Sequence, residues 1–304
     1  MTRAVVVVLL VLAAGCSSAD DEATPASTTT TTEATTTTTT EATVEPAVEA
    51  TGEVVHGSLA TADGRTRTYR LYLPTDRADD APLVLALHGG TGNGDQFARS
   101  SGYDGLAEAN GFVVAYPDGT PTAMGDRRLV WNAGDCCAAA ARDDVDDVGF
   151  LTALADRLAE EQDLDPTDVL VVGHSNGAMM AMRLACEAAD HVAAAAVQAG
   201  TVLVDDCAPS EPVSAMDLHG TDDRNVPIDG GVGEESRAGV DFPPVREALA
   251  TFAAAAGCED VTVETWGPCP DGVDVELVAV EGAPHAWMDD ASLRTWTFLS
   301  AHRG

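Results

Sequence analysis

The chain has 304 residues, 45% of them hydrophobic, enough for one large domain or two small ones. Fifty acidic residues stand against 16 basic ones, all of them Arg, for a formal charge of −34. That balance argues against nucleic acid and anionic lipid headgroups as partners, because phosphate binding needs cationic patches. It fits a solubilising surface or tolerance of high salt.

Residues 1–15 read as a leader. Arg3 supplies a positive start, and Ala4 to Leu12 form an apolar run too short to span a bilayer. Ala13-Ala14-Gly15 closes the run with small residues just before Cys16. A cysteine there resembles a bacterial lipobox, which implies cleavage before Cys16 and lipid on its thiol and new amino group. The alternative is an ordinary signal peptide with a chance cysteine. Residues 16–50 are dominated by Thr (Thr28 to Thr32, Thr35 to Thr40) and carry almost nothing to bury. Such a segment cannot offset its ordering entropy and is expected to stay extended, a tether on the outer face of the cell membrane. The lipid would be the only contact with that membrane.

The pattern turns globular at Thr51 and stays so to Gly304. Thr66 to Leu73 alternates as a half-buried strand does, and Leu83 to Leu87 is continuously apolar, as a strand buried on both faces is. Further short apolar runs follow at Phe112 to Ala115, Val169 to Val172, Val192 to Val197, Val213 to Leu218 and Val275 to Val280. Helical stretches lie between them at Asp147 to Glu161, Gly177 to Ala188, Val245 to Ala256 and Asp290 to Ala301. The acids Asp143, Asp144, Asp146 and Asp147 read as caps at the start of the first of these helices. The alternation predicts a single α/β domain over 51–304, with a mostly parallel central sheet and helices on both faces. A monomer is expected.

Seven cysteines sit at 16, 136, 137, 186, 207, 258 and 269. With Cys16 assigned to lipid, six remain in an oxidising compartment, and six allow 15 pairings. Proximity in sequence favours Cys258 with Cys269 and Cys186 with Cys207. Cys136 and Cys137 are then an adjacent-residue disulfide or two thiols. No cysteine or histidine spacing suits a metal, and neither a metal nor an organic cofactor is expected.

Gly173-His174-Ser175-Asn176-Gly177 reads G-x-S-x-G, placed between the strand Val169 to Val172 and a helix. That context is the one a nucleophile elbow requires, so Ser175 is the predicted nucleophile. A serine needs a base, and the base an orienting acid, in chain order Ser, acid, His. Asp222 and Asp223 both follow the strand ending at Leu218, and His285 follows the strand Val275 to Val280, so all lie at one sheet edge. The oxyanion donors are expected to be the Asn176 amide and that of Gly90 or Thr91, in Leu87-His88-Gly89-Gly90-Thr91-Gly92. Trp131, Trp287 and His88 are candidates to line the substrate pocket, Trp131 being equally readable as a packed loop aromatic.

Together these pieces resemble the poly(3-hydroxybutyrate) depolymerase-like esterases, which overlap with feruloyl esterases of carbohydrate esterase family one. The resemblance rests on Leu87-His88-Gly89-Gly90, Trp131-Asn132-Ala133-Gly134-Asp135-Cys136-Cys137, Val145 to Phe150, Gly173 to Gly177, His219-Gly220-Thr221-Asp222-Asp223 with Val226-Pro227, and His285-Ala286-Trp287. It implies an α/β-hydrolase fold and a serine esterase acting on a polyester or an esterified polysaccharide. The pattern H-G-x-x-D-x-x-V-P places the acid at Asp223, giving Ser175, Asp223 and His285. Pro284 stands where such proteins often carry glycine.

Overall fold

The computed structural model describes residues 49–304 apart from 124, 259, 260, 263, 264, 267, 268, 270 and 271. The leader, Cys16 and all but the end of the tether lie outside the described residues.

The domain opens with an antiparallel hairpin, β1 (Glu53–Ala60) and β2 (Thr66–Leu73), then β3 (Leu83–Leu87), α1 (Gly94–Ser101), α2 (Tyr103–Asn110) and β4 (Val113–Pro117). A small hairpin of β5 (Thr120–Thr122) and β6 (Gly125–Val130) leads to α3 (Ala138–Arg142) and α4 (Asp147–Gln162). The second half runs β7 (Val169–His174), α5 (Asn176–Glu187), β8 (Ala194–Gln198), β9 (Ser214–Gly220) and α6 (Val245–Ala255). It closes with β10 (Val261–Thr262), β11 (Thr265–Trp266), β12 (Val275–Val280) and α7 (Ala291–Ala301).

Ten strands form one sheet in the order β1-β2-β4-β3-β7-β8-β9-β12-β11-β10. The central six, β4 to β12, pair in parallel, and both edges are antiparallel. Side chains alternate across the sheet, so each strand feeds two cores. Leu83, Leu85 and Leu87 pack with Val169, Val171, Phe150 of α4, Met180 of α5 and Phe252 of α6. Val84 and Ala86 face the other way, among Leu170, Val172, Phe97 of α1, Tyr103 of α2 and Trp296 of α7. Burial on both sides explains the unbroken apolar runs, each buried Leu or Val contributing about 1.5–3 kcal/mol. This is the α/β-hydrolase fold, in one domain. No helix among the described residues is long and apolar enough to cross a membrane.

Several elements go beyond the sequence expectation. α1 and α2 are eight residues each and end on left-handed glycines, Gly102 (φ 69°) and Gly111 (φ 75°). Their apolar content is too low for a helical stripe to stand out, although those glycines are stop signals. Asp146 caps α4 through the Gly149 amide as expected, but Asp147 is no cap. It is buried, forming an ion pair with Arg67 (2.7 Å) and accepting the Asn132 amide (2.7 Å). Arg67 also lies over the Phe150 ring at 4.2 Å, which shields the pair from water. Disulfides join Cys186 to Cys207, Cys258 to Cys269, and the adjacent Cys136 to Cys137.

Candidate active site

β7 ends at His174 and α5 begins at Asn176, leaving Ser175 alone to turn the chain, at φ 54° and ψ −120°. A non-glycine residue at positive φ is strained and persists only when its surroundings impose it. A Cβ on Gly173 would strike the Gly177 carbonyl, and one on Gly177 would strike the Leu87 and His88 carbonyls. Both positions therefore require glycine. The Ser175 amide donates to the Gln198 carbonyl of β8 (3.0 Å), which anchors the turn to the sheet.

Three loops at the C-terminal edge of the parallel strands meet over this turn. After β12, His285 places Nε2 2.9 Å from Ser175 Oγ. After β9, Asp223 reaches His285 Nδ1 through Oδ2 at 2.7 Å. The other Asp223 oxygen accepts the amides of Asn225 (2.9 Å) and Val226 (2.8 Å). Burial alone would raise the Asp223 carboxyl, but His285 and these two amides outweigh it and hold the group below the usual aspartate value. Asp222 points elsewhere: it is exposed, and its amide donates to the Ala283 carbonyl.

The His285 loop is pinned from beneath by two residues that sequence reasoning passed over. His174 donates Nε2–H to the His285 carbonyl (2.8 Å), and burial, then the neighbouring His285, pushes His174 down to about 4, so it is neutral. Gln198, fully buried, donates to the Ala286 carbonyl (2.7 Å) and accepts the Met288 amide (2.9 Å). The only signal for either was position, each being the last residue of a central parallel strand.

On the other side, the loop after β3 carries Gly89 and Gly90 close over the elbow. A Cβ on Gly89 would lie 3.1 Å from His174 Nδ1, and one on Gly90 would lie 3.7 Å from Asn176 Cβ. The Asn176 amide is the first N–H of α5 and has no intrahelical acceptor. Of the two expected partners for it, Thr91 is excluded, because its amide already donates to the Leu129 carbonyl (2.8 Å). Gly90 remains.

A model of the esterase PHB depolymerase family matches residues 67–266 of this chain, a span that contains the elbow and Asp223. The chain belongs to that family. "Putative esterase NocK" of Nocardia uniformis subsp. tsuyamanensis is 31% identical over 74% of this chain and 71% of its own length. Feruloyl esterase B of Piromyces equi is 29% identical over 68% of this chain, which spans only 40% of that longer protein. Membership makes the chain a carboxylic ester hydrolase. Among solved structures, an acetyl xylan esterase from Aspergillus awamori superposes with a TM-score of 0.56 at 17% identity, covering 80% of this chain and 99% of its own. That likeness speaks for the shared fold.

In this esterase Ser175 opens into a cleft of about 860 Å³. Cys136, Cys137, Ala138, Met179, Val226 and Phe242 give it an apolar wall, while Arg142, Asp143, Glu235 and Arg237 stand among its lining. The three residues expected to line it do not. Trp131 is fully buried, its indole donating to the His88 carbonyl (3.0 Å). Its backbone has a different job: the Asn176 side chain accepts the Trp131 amide (2.8 Å) and donates to the Trp131 carbonyl (3.2 Å). That carbonyl also accepts the Cys137 amide (3.1 Å), so the disulfide wall is registered to the helix that follows Ser175. His88 is buried too, accepting the Gly119 amide and donating to the Gly89 carbonyl, and burial pushes it down to about 4. Trp287 packs edge-on against Phe97 and His174, outside the cleft. In each case an aromatic ring that reads as a contact surface is used to support the backbone around the site.

Proposed function

We propose that the chain hydrolyses carboxylic esters through an acyl-enzyme on Ser175. The reading rests on one observation: His285 bridges Ser175 Oγ at 2.9 Å and Asp223 at 2.7 Å, the geometry proton transfer needs. Ser175 Oγ attacks the ester carbonyl carbon as its proton passes to His285 Nε2. The negative charge on the former carbonyl oxygen is met by the amides of Asn176 and Gly90. Collapse expels the alcohol, which takes the proton from His285. Water then attacks the acyl-enzyme with His285 as base, releasing the acid and restoring Ser175. Asp223 holds the imidazole in the required tautomer and balances its transient charge throughout.

The apolar wall favours an ester whose acyl part is aliphatic or aromatic, and the open cleft admits a chain extending past the scissile bond. A polyester of hydroxyalkanoate type fits both features. Relatives carry the names feruloyl esterase and acetylxylan esterase, which favours as second reading an esterified polysaccharide. The enzyme would act outside the cytoplasm, held by lipid on Cys16 and lifted by the Thr-rich tether. Ser175→Ala is expected to abolish turnover of a p-nitrophenyl ester, and turnover at the wild-type rate would refute the assignment. The intact enzyme, screened on polyhydroxybutyrate, methyl ferulate and acetylated xylan, should release most product from the polyester.

A further inference from the structure

Two buried titratable residues behind the catalytic acid have no part in the scheme above. Asp217 and His219 lie two apart on β9, so both side chains leave the same face, and each is at most 1% exposed. His219 Nε2 is 2.8 Å from the Val226 carbonyl; a carbonyl only accepts, so that nitrogen carries a proton. The same nitrogen is 3.6 Å from Asp223 Oδ2. On its other side His219 Nδ1 stands 3.5 Å from Asp217 Oδ1. Among the described residues no hydrogen bond of ordinary geometry reaches either Asp217 oxygen or His219 Nδ1, although the Gly200 backbone lies near enough to Asp217 to favour its charged form.

One imidazole is thus sandwiched between two buried carboxylates. Asp223 is ionised by its three hydrogen bonds, and a second unpaired carboxylate at Asp217 would be costly beside a neutral ring. A second proton on His219 removes the conflict. We propose that His219 is a buried imidazolium, paired with the Asp217 carboxylate, and that the pair is a positioning device for Asp223, extending the line Ser175–His285–Asp223 by two members. It acts in two ways. Its Nε2–H grips the Val226 carbonyl, closing the turn whose Asn225 and Val226 amides hold Asp223 Oδ1. Its charge lies 3.6 Å from Asp223 Oδ2, the same oxygen that binds His285, and so competes with His285 for that carboxylate.

Neighbouring strands bring no competing charge to the ring. β12 places Ala279 opposite His219, and β8 reaches only as far as Gln198 beside Leu218. Among the described residues the charged groups that act most on His219 are Asp217 and Asp223. Burial pulls its proton affinity down, but these carboxylates more than restore it, leaving His219 above the usual histidine value; Asp217 is raised by burial.

The proposal rests on the acyl-enzyme reading, and its test separates the two. His219→Gln keeps a donor for Val226 but removes the charge; Asp217→Asn removes the counter-charge. In both variants the cation behind Asp223 is lost, directly in the first and in the second because His219 without its counter-charge releases its second proton, so the acid limb of kcat/KM should move to higher pH by roughly 0.5–1 unit. The double variant should shift no further than the larger single one. A purely structural role would lower kcat and leave the limb in place, which would overturn the proposal. Should the variants fail to fold, the ring ¹⁵N shifts of His219 in the wild-type enzyme at neutral pH decide it: imidazolium supports the pair, neutral imidazole sinks it. That spectrum does not depend on turnover, whereas an active Ser175→Ala enzyme would remove the acyl-enzyme reading and leave the spectrum unchanged.

Discussion

Gln198 does more for the site than its chemistry suggests. Its backbone carbonyl fixes the Ser175 amide, and its side chain spans the two residues on either side of Trp287. Replacing it with Leu keeps the volume but takes the side-chain partner from the Met288 amide and the Ala286 carbonyl, both part-buried hydrogen bonds. We expect Gln198→Leu to cost about 1–3 kcal/mol of stability and to lower kcat more than it raises KM, since the loop carrying His285 loses its anchor. Steady-state kinetics with a chromogenic ester, beside a urea melt, would check both parts. An unchanged kcat would mean that His174 alone holds the loop. Ser175, His285 and the glycines were legible as residues because each answers a local demand for a nucleophile, a base or a turn without a side chain. Gln198, His174 and Asp217 were not, because nothing in their neighbours along the chain distinguishes a polar residue ending a buried strand from one that is merely buried.

At the scale of elements, the elbow works because β7, the Ser175 turn and α5 approach β3 too closely for side chains. Gly177 sits directly against the Leu87 and His88 carbonyls. Gly177→Ala must therefore push α5 away from β3. Overpacking of this kind costs about 1–3 kcal/mol, and in a domain of this size each kcal/mol lowers Tm by roughly 2–4 °C. We expect a lower Tm together with loss of fluorophosphonate labelling at Ser175, because the displaced helix takes the Asn176 amide with it. Full labelling would show that the turn adapts. The strands buried on both faces and the long amphipathic helices were readable from periodicity. The β5–β6 hairpin and the eight-residue helices were not, since a hairpin beside the main sheet and a two-turn helix carry too few residues for a period to emerge.

For the molecule as a whole, acid is the weak direction. His88 and His174 are buried and held near 4, against about 6.5 for histidine in an unfolded chain. Between those values the unfolded chain binds protons that the folded one refuses, so stability is fully present above pH 6.5 and falls as pH drops towards 4. Each histidine contributes a slope of about 1.4 kcal/mol per pH unit in that window. Urea melts at pH 7.5 and 5.0 should show a midpoint that falls on acidification; equal midpoints would contradict the burial of both rings. Removing either ring, as in His88→Gln, should roughly halve the slope.

Read alone, the amino-acid order determined the α/β architecture, the elbow and the run of serine, acid and histidine along the chain. These depend on periodicity and on backbone demands that a few adjacent residues express. Only the tertiary structure brought Asp223, rather than Asp222, to His285, gave the Thr91 amide to the Leu129 carbonyl, and buried Trp131 and His88 while setting Cys136 and Cys137 in the cleft wall. The reason is the same in each case: whether a polar group is free, or a ring is exposed, depends on what distant segments pack against it. No stretch of sequence carries its own partners.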